Sequence, residues 1–223
     1  FNKSVILPFK YNPPMTPLEI VYIDSSVVVL NKPNGLLTVP GKPETHYDSL
    51  LTRLRKKVFG SLLVHRLDLD TSGIIIFART ASSQVHLNKQ FENRLAKKTY
   101  VARVNGHLEK NQGKIDLPLI LDWPNRPAQK VCFKTGKTAT TFYKVLDRER
   151  NNITRLELYP VTGRSHQLRL HMKSCGHPIL GDSIYGDKST VTLSNRLQLH
   201  SLSLEVNHPK SNEKTLFSAP APF

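Results

Sequence analysis

The sequence predicts an α+β fold built on a mixed, largely antiparallel β-sheet. Segments rich in β-branched residues outnumber the segments with helical periodicity, and several of them follow one another without an intervening helix. Consecutive strands joined by short turns pair in antiparallel fashion. Of the 223 residues, 39% are hydrophobic and 22% are charged, which is typical of a folded globular protein rather than a disordered chain.

The predicted strands are runs that are β-branched or that alternate between apolar and polar residues. The first two, 18–23 and 27–30, flank the turn residues 24–26 and indicate a β-hairpin. Further strands are predicted at 62–64, 73–78, 98–104, 138–146, 154–161 and 196–206.

Three helices are predicted between these strands. Apolar residues at three- and four-residue spacing indicate a helix over 48–59, and Thr80 is a candidate N-cap for a second helix over 81–94. The segment 166–174 fits either a strand or a helix. Because Gly163 precedes it and Gly176 ends it, we interpret it as a helix.

We expect a single domain over 18–223, preceded by an N-terminal extended arm over 1–17 that is polar and contains four prolines. No apolar run approaches the roughly 20 residues of a membrane-spanning helix, and no signal peptide is expected. The two cysteines, Cys132 and Cys175, form no CxxC pair, which excludes a disulfide scaffold and a cysteine-rich zinc site. These features favour a reducing, cytoplasmic setting.

The formal net charge of +15 indicates a polyanionic partner. Nucleic acid is the leading candidate, because Lys and Arg side chains that neutralise phosphates release condensed counterions. A basic but inert surface is the alternative. An anionic membrane surface is less favoured, since no strongly amphipathic, Lys-rich helix is present.

The segment 64–73, VHRLDLDTSG, is a polar loop between two predicted strands, a place where functional residues are common. Asp68 in a sheltered site would need a cationic partner to stay ionised. One alternative is a turn in which Asp and Ser side chains bond nearby backbone. Another is a metal site with His65, Asp68 and Asp70 as ligands, which Arg66 would oppose by charge repulsion.

Three further segments could carry chemistry. In the predicted helix that follows Arg164, His166 and Arg169 share a face, so Arg169 could pair with a carboxylate, or the basic helix start could contact phosphate. Tyr100 points inward, either as a core residue or as a platform for a base. The loop 123–130 carries Arg126 and Lys130 and is either an RNA contact or a Pro-stiffened connection.

Five segments in chain order resemble the motifs of the RluA-type pseudouridine synthases. They are NKPNGL at 31–36, HRLD at 65–68 with TSG at 71–73, GRSHQLR at 163–169, GHPILGD at 176–182 and RLQLH at 196–200. Five motifs in order with compatible spacing are far more specific than any single one. Within the family, YNPP at 11–14 and WPNRP at 123–127 resemble the members that act on both 23S rRNA and tRNA.

The resemblance implies a pseudouridine synthase catalytic fold, with the sheet flanked by helices and loops around a catalytic cleft. It implies an isomerase that converts uridine in RNA to pseudouridine without a cofactor or metal. Asp68 would be the catalytic aspartate, Arg169 its ion-pair partner, and Tyr100 the residue that stacks on uracil. Arg66 would fill the space left by a flipped base.

The resemblance also implies that other basic residues, Arg164, His166, Arg126 and Lys130 among them, bind RNA. The expected partners are tRNA, at its anticodon stem-loop, and 23S rRNA, with no membrane and no protein partner. Two alternatives remain at this point. One is an RNA-binding module of the same fold without catalysis. The other is a metal-dependent phosphoesterase that uses His65, Asp68 and Asp70.

Overall fold

The computed structural model describes residues 10–223. Residues 1–9, which belong to the predicted arm, lie outside the described residues. The described chain forms the strands β1 Glu19–Ile23, β2 Val27–Lys32, β3 Leu62–Leu63, β4 Ser72–Ala78, β5 Lys97–Asn105, β6 Gln112–Asp116, β7 Leu119–Leu121, β8 Gln129–Val131, β9 Thr140–Glu149, β10 Ile153–Pro160, β11 Leu199–Asn207 and β12 Lys214–Ser218. The α-helices are α1 Leu50–Lys57, α2 Ala81–Glu92, α3 Gln167–Ser174 and α4 Lys188–Thr192.

Ten strands form one twisted sheet in the order β1-β2-β4-β11-β5-β10-β9-β6, with β3 paired to β4 and β12 paired to β11. Strands β7 and β8 form a separate two-stranded hairpin. Among the described strands the pairing of β4 with β11 is parallel, and the other pairings are antiparallel. The predicted α+β fold with a mixed, largely antiparallel sheet is therefore confirmed.

Strand β4 lies inside the sheet, and all seven of its residues are buried. Because successive side chains point to opposite faces, Ile74 and Ile76 cluster with Leu87 of α2 on one face. On the other face, Ile75 and Phe77 cluster with apolar residues of α1. A central strand covered by a helix on each face gives the loop before β4 a rigid base.

The second half of the sheet packs against α3. Strands β5 and β10 contribute Ala102, Val104, Leu156 and Leu158 to a cluster that also contains apolar residues of α3. Burying this face of α3 directs the start of the helix, and the segment before it, toward the loop that precedes β4.

The described part of the predicted arm, residues 10–17, has no regular secondary structure, and its Tyr11 contacts the rest of the chain. The buried Tyr11 donates its hydroxyl hydrogen to the Asp48 carbonyl at 2.9 Å and accepts from the Leu37 N–H at 3.0 Å. These contacts tie the arm to the segment that leads into α1.

The predicted helices are present as α1, α2 and α3, each within a few residues of its expected bounds. Thr80 caps α2 as predicted, since its hydroxyl accepts from the Ser83 N–H at 3.1 Å. Strands β6, β7, β8 and β12 and helix α4 were not predicted. No helix within residues 10–223 has the length and hydropathy that crossing a bilayer requires.

Candidate active site

A cleft of about 950 Å³ opens where the loop before β4, strand β5 and the segment before α3 converge. The end of α2 and the β7–β8 hairpin also contribute to its walls. Its charged and titratable lining residues are His65, Arg66, Asp68, Glu92, Arg94, Lys98, Tyr100, Arg164, His166 and Arg169. Cations dominate this set, so the cleft suits an anionic ligand.

Lys32 fastens the loop that carries Asp68. Its side chain is fully buried, and its Nζ donates to the carbonyls of Pro33 at 3.0 Å, Leu36 at 2.7 Å and Leu69 at 2.8 Å. Burial lowers the Lys32 pKa to about 7, although the charges of Asp70 and Asp68 oppose that shift. One ammonium thus joins the turn after β2 to the residue that follows Asp68.

Two further hydrogen bonds complete this attachment. The Gly35 backbone N–H donates to the Leu69 carbonyl at 3.0 Å, and the Asn34 side-chain amide donates to the Asp70 carbonyl. Gly35 has a φ of +75°, a conformation that glycine adopts without strain. The NKPNG segment is therefore a clamp on the loop that contains Asp68.

Thr38 holds the same loop from the residue on the other side of Asp68. Its hydroxyl donates to the Leu67 carbonyl at 2.8 Å and accepts from the Leu67 N–H at 3.3 Å. Leu67 is itself buried in the cluster around α1. With Leu67 and Leu69 both anchored, the carboxylate of Asp68 is presented to the cleft from a fixed backbone.

His65 has a structural position in this loop. Its ring stacks on Phe91 of α2 with centroids 4.6 Å apart, and its Nε2 accepts from the Ile76 N–H at 3.3 Å. Burial lowers the His65 pKa to about 3, so the ring is neutral. Residues 10–223 contain no group of three His, Cys, Asp or Glu side chains arranged to hold a metal ion. The phosphoesterase alternative has no support in this geometry.

Tyr100 lies on β5 at the inner edge of the cleft, on the face it shares with Ala102. Its ring packs against the apolar clusters on both sides of the cleft. Burial raises the Tyr100 pKa to about 12, so the phenol keeps its proton. Apolar packing thus holds the ring in place at the border of the cleft.

Arg169 forms an ion pair with a carboxylate other than the predicted one. Its Nε and Nη2 donate to Asp182 at 2.8 and 2.6 Å, and both side chains are buried. Within residues 10–223 the Asp68 side chain forms no direct ion pair. The expected direct pair between Arg169 and Asp68 is therefore corrected to a pair between Arg169 and Asp182.

The reason is the turn after α3. Asp182 accepts from the backbone N–H groups of Ile184 and Tyr185, each at 3.0 Å, and this fixes its carboxylate beside the guanidinium. Burial lowers the Arg169 pKa, but the bond and charge of Asp182, with smaller contributions from Asp68 and Asp70, raise it overall. Arg169 and Asp68 thus interact electrostatically without a direct bond between them.

The predicted RNA-binding residues fall into two groups. Arg66, Arg164 and His166 line the cleft with Asp68, Tyr100 and Arg169. Arg126 and Lys130 lie on the neighbouring β7–β8 hairpin, where the Arg126 guanidinium stands 4.7 Å from the Trp123 ring centroid and Lys130 pairs with Asp122 at 3.1 Å. Pro127 and Gln129 of this hairpin reach the cleft wall.

Tyr185 connects these groups and was not predicted as a site residue. Its hydroxyl accepts from the Gln129 N–H at 2.8 Å and bonds to His166 Nδ1 at 2.9 Å. The Arg169 guanidinium stands 5.4 Å from the Tyr185 ring centroid. No periodicity signals this role, because the contacts come from two segments, the start of α3 and β8, that are distant from Tyr185 or from each other along the chain. Lys98 was also overlooked, although the alternation of β5 places it on the face of Tyr100.

A family model for RNA pseudouridylate synthases matches residues 26–174, which is more than half of the chain. The chain therefore belongs to the RNA pseudouridylate synthase family and is an RNA pseudouridine synthase, an isomerase. The catalytic interpretation is confirmed over that of a non-catalytic RNA-binding module.

Individual relatives are similar over almost their whole length. The chain is 50% identical over 214 residues to the dual-specificity RNA pseudouridine synthase RluA of Escherichia coli K12, covering 96% of this chain and 98% of that protein. Identity to the Pasteurella multocida protein of the same name is 51% with the same coverage.

Among solved structures, human RNA pseudouridylate synthase domain containing 1 has a TM-score of 0.80 at 27% identity, covering 95% of this chain and 87% of that one. Human RNA pseudouridylate synthase domain containing 4 shares the fold, with a TM-score of 0.74 at 24% identity and coverage of 92% and 88%.

Proposed function

We propose that this enzyme isomerises uridines in both tRNA, at the anticodon stem-loop, and 23S rRNA, acting in the cytoplasm with Asp68 as its catalytic carboxylate. The observation that carries the proposal is the position of Asp68, which is clamped on both sides and presented to a cleft lined by cations. The name shared by the relatives, dual-specificity RNA pseudouridine synthase, supports two RNA classes.

The reaction breaks the bond between C1′ and N1, turns the uracil, and joins its C5 to C1′; C5 loses its proton and N1 gains one, so the product is an isomer of uridine. Asp68 either attacks C1′ or removes a proton from C2′ after the base has left. Both routes use the carboxylate of Asp68, and the charge of Arg169, in the wall of the same cleft, interacts with it. None of these steps requires a metal or a cofactor.

The remaining residues bind and orient the nucleotide. Tyr100 stacks on the uracil, and its protonated phenol can donate a hydrogen bond near the migrating base. The exposed Arg66 beside Asp68 occupies the space that the flipped uridine leaves in the RNA stack. Arg164 and His166 at the cleft, with Arg126 and Lys130 on the hairpin, hold phosphates and so position the RNA without reading its sequence.

Tritium release from RNA labelled at uridine C5 tests the role of Asp68. Asp68→Asn should abolish release while RNA binding persists, because the fold and the basic cleft remain. Asp147→Asn, on the exposed side of β9, is the matched control and should retain activity. Turnover by Asp68→Asn equal to that of the control would show that Asp68 is not the catalytic carboxylate.

Pseudouridine mapping tests the two substrate classes. In cells lacking this protein, at least one pseudouridine should disappear from tRNA and at least one from 23S rRNA, and both should return when the wild-type gene is restored. Loss from only one RNA class would refute the dual specificity and leave the isomerase activity standing.

A further inference from the structure

Lys97 and Lys98 are neighbours in β5 with opposite surroundings. Lys97 is largely exposed, and its Nζ pairs with Glu205 at 3.1 Å. Lys98 is on the face of Tyr100 and lines the cleft. Within residues 10–223 it forms no ion pair, and the hydrogen bond of its Nζ is a long one, 3.4 Å, to the Thr162 carbonyl. Lys98 is thus a cation of the cleft wall that is not paired with a carboxylate.

The surroundings of this ammonium do not neutralise it. The charge of Lys98 affects one titratable neighbour, His65. It contributes to lowering the His65 pKa, so that the ring is uncharged. Across the cleft, Nζ lies 3.7 Å from the point where a Cβ on Gly163 would stand, so only backbone of that residue faces it. Burial lowers the Lys98 pKa to about 8. A partly desolvated cation of this kind is stabilised by an anion that enters the cleft.

We propose that Lys98 binds the phosphodiester group adjoining the target uridine, a role that rests on the proposed function of this cleft. The phosphates are the permanent anions of an RNA substrate, whereas the uracil is neutral when it binds. Lys98 and Tyr100 are two residues apart on one face of β5, a separation of roughly 7 Å. Tyr100 can therefore take the base while Lys98 takes the adjoining backbone.

Lys98→Met and Lys97→Met form a matched pair for the test, since both replace a lysine of β5 by an uncharged chain of similar length. Binding of tRNA is measured as Kd over a range of salt concentrations, and turnover is measured as tritium release at saturating RNA. We expect Lys98→Met to weaken binding roughly tenfold or more, as for a lost hydrogen bond to a charged group. Its salt slope should fall by about one.

Lys97→Met should leave Kd and the salt slope close to wild type, and Lys98→Arg should recover most of the affinity. Turnover of Lys98→Met at saturating RNA should remain within about threefold of wild type, because a phosphate contact is made equally in the ground and transition states. Unchanged far-ultraviolet circular dichroism and Tm establish that each variant is folded.

Two results would overturn the inference. Either Lys98→Met binds tRNA like Lys97→Met, or it loses turnover at saturating RNA. The latter would place Lys98 against charge that develops on the detached uracil. Failure of the proposed function is a separate outcome, since it appears as an absence of tritium release by the wild-type enzyme.

Discussion

Arg169 and Asp182 form a bidentate ion pair in which 2% of one side chain and none of the other is exposed. The pair joins α3 to the turn that follows it and places the guanidinium in the wall of the cleft that also contains Asp68. Removing one partner of a buried pair leaves the other charge without compensation. We therefore predict that Asp182 is a positioning residue that acts on the reaction through Arg169.

Asp182→Asn should lower the free energy of unfolding by about 3 kcal/mol. At a temperature where the variant is folded, kcat should fall with little change in the Kd for RNA, because the charge near Asp68 is displaced rather than lost. Urea denaturation and single-turnover tritium release measure the two effects. Asp182→Glu should restore part of kcat.

The control for this change is Asp116→Asn. In the wild-type protein the Asp116 carboxylate pairs with Lys114 at 2.8 Å, and both side chains are about half exposed. Exposed pairs of this kind contribute little to stability. If both variants lose the same stability and Asp182→Asn retains full kcat, Asp182 does not position Arg169.

Gly73, near the start of β4, has no side chain and so allows β4 and β11 to approach each other closely. Its φ is +111°, and a Cβ there would lie 2.6 Å from Ser201 N and closer still to Ser201 O. This is the point where β4 and β11 run parallel. Gly73→Ala should therefore cost roughly 3 kcal/mol or more, because strain and backbone overlap add.

Gly60→Ala is the comparison that separates these two causes. Gly60 also has a positive φ, +76°, but no atom lies within 4 Å of the point where its Cβ would stand. Backbone strain alone should cost it about 1–2 kcal/mol. Thermal unfolding of both variants gives the comparison, and a Gly73→Ala protein as stable as Gly60→Ala would contradict the close-approach argument.

The sequence-based prediction of the core depended on the periodic spacing of apolar residues. The run Ile74–Phe77 and the alternation of β5 indicated the correct strands, and the alternation also placed Tyr100 on its inner face. Strands β6 and β12 were not predicted, because they are short and contain Lys, Gly or Asp, residues with weak strand propensity. Such edge strands form because a neighbouring strand pairs with them.

The partner of Arg169 illustrates what the sequence does not determine. A carboxylate partner was expected for Arg169, but the expected residue was Asp68, and the observed partner, Asp182, comes from a different segment. The choice depends on the turn at Gly181, which has a φ of +71°, and on the backbone bonds that hold Asp182. Such three-dimensional arrangements leave no periodic signal along the chain.

His200 makes the fold sensitive to acid. It is buried between the Ser72 hydroxyl, 2.8 Å from Nδ1, and the Ala219 carbonyl, 3.1 Å from Nε2. Burial lowers its pKa to about 4, and the nearby Arg196 contributes to the same shift. As pH falls from 6.5 to 4, the unfolded chain takes up a proton that the folded chain does not, so stability decreases by up to about 3 kcal/mol.

His200→Gln should remove this contribution. The variant should be less stable than wild type at pH 7, because the buried bonds change, yet its stability should decline less steeply between pH 6.5 and 4. Urea denaturation across that range measures the difference in slope, and His107→Gln, at an exposed histidine, is the control. Parallel curves for His200→Gln and wild type would show that His200 does not titrate in this way.

Trp123 presents an exposed aromatic surface beside the cleft. Its side chain is 65% exposed, the Arg126 guanidinium covers one side of the ring, and the same hairpin reaches the cleft wall at Pro127 and Gln129. An exposed ring next to a cation suits stacking on an unpaired base, which contributes about 1–3 kcal/mol. Trp123→Ala should therefore weaken RNA binding roughly 5- to 100-fold without changing Tm, and Trp123→Phe should retain most of the affinity. The control is Phe59→Ala, because the Phe59 side chain is 96% exposed and lies outside the cleft lining. This variant should bind RNA like wild type. Equal Kd values for all three variants would exclude stacking by Trp123.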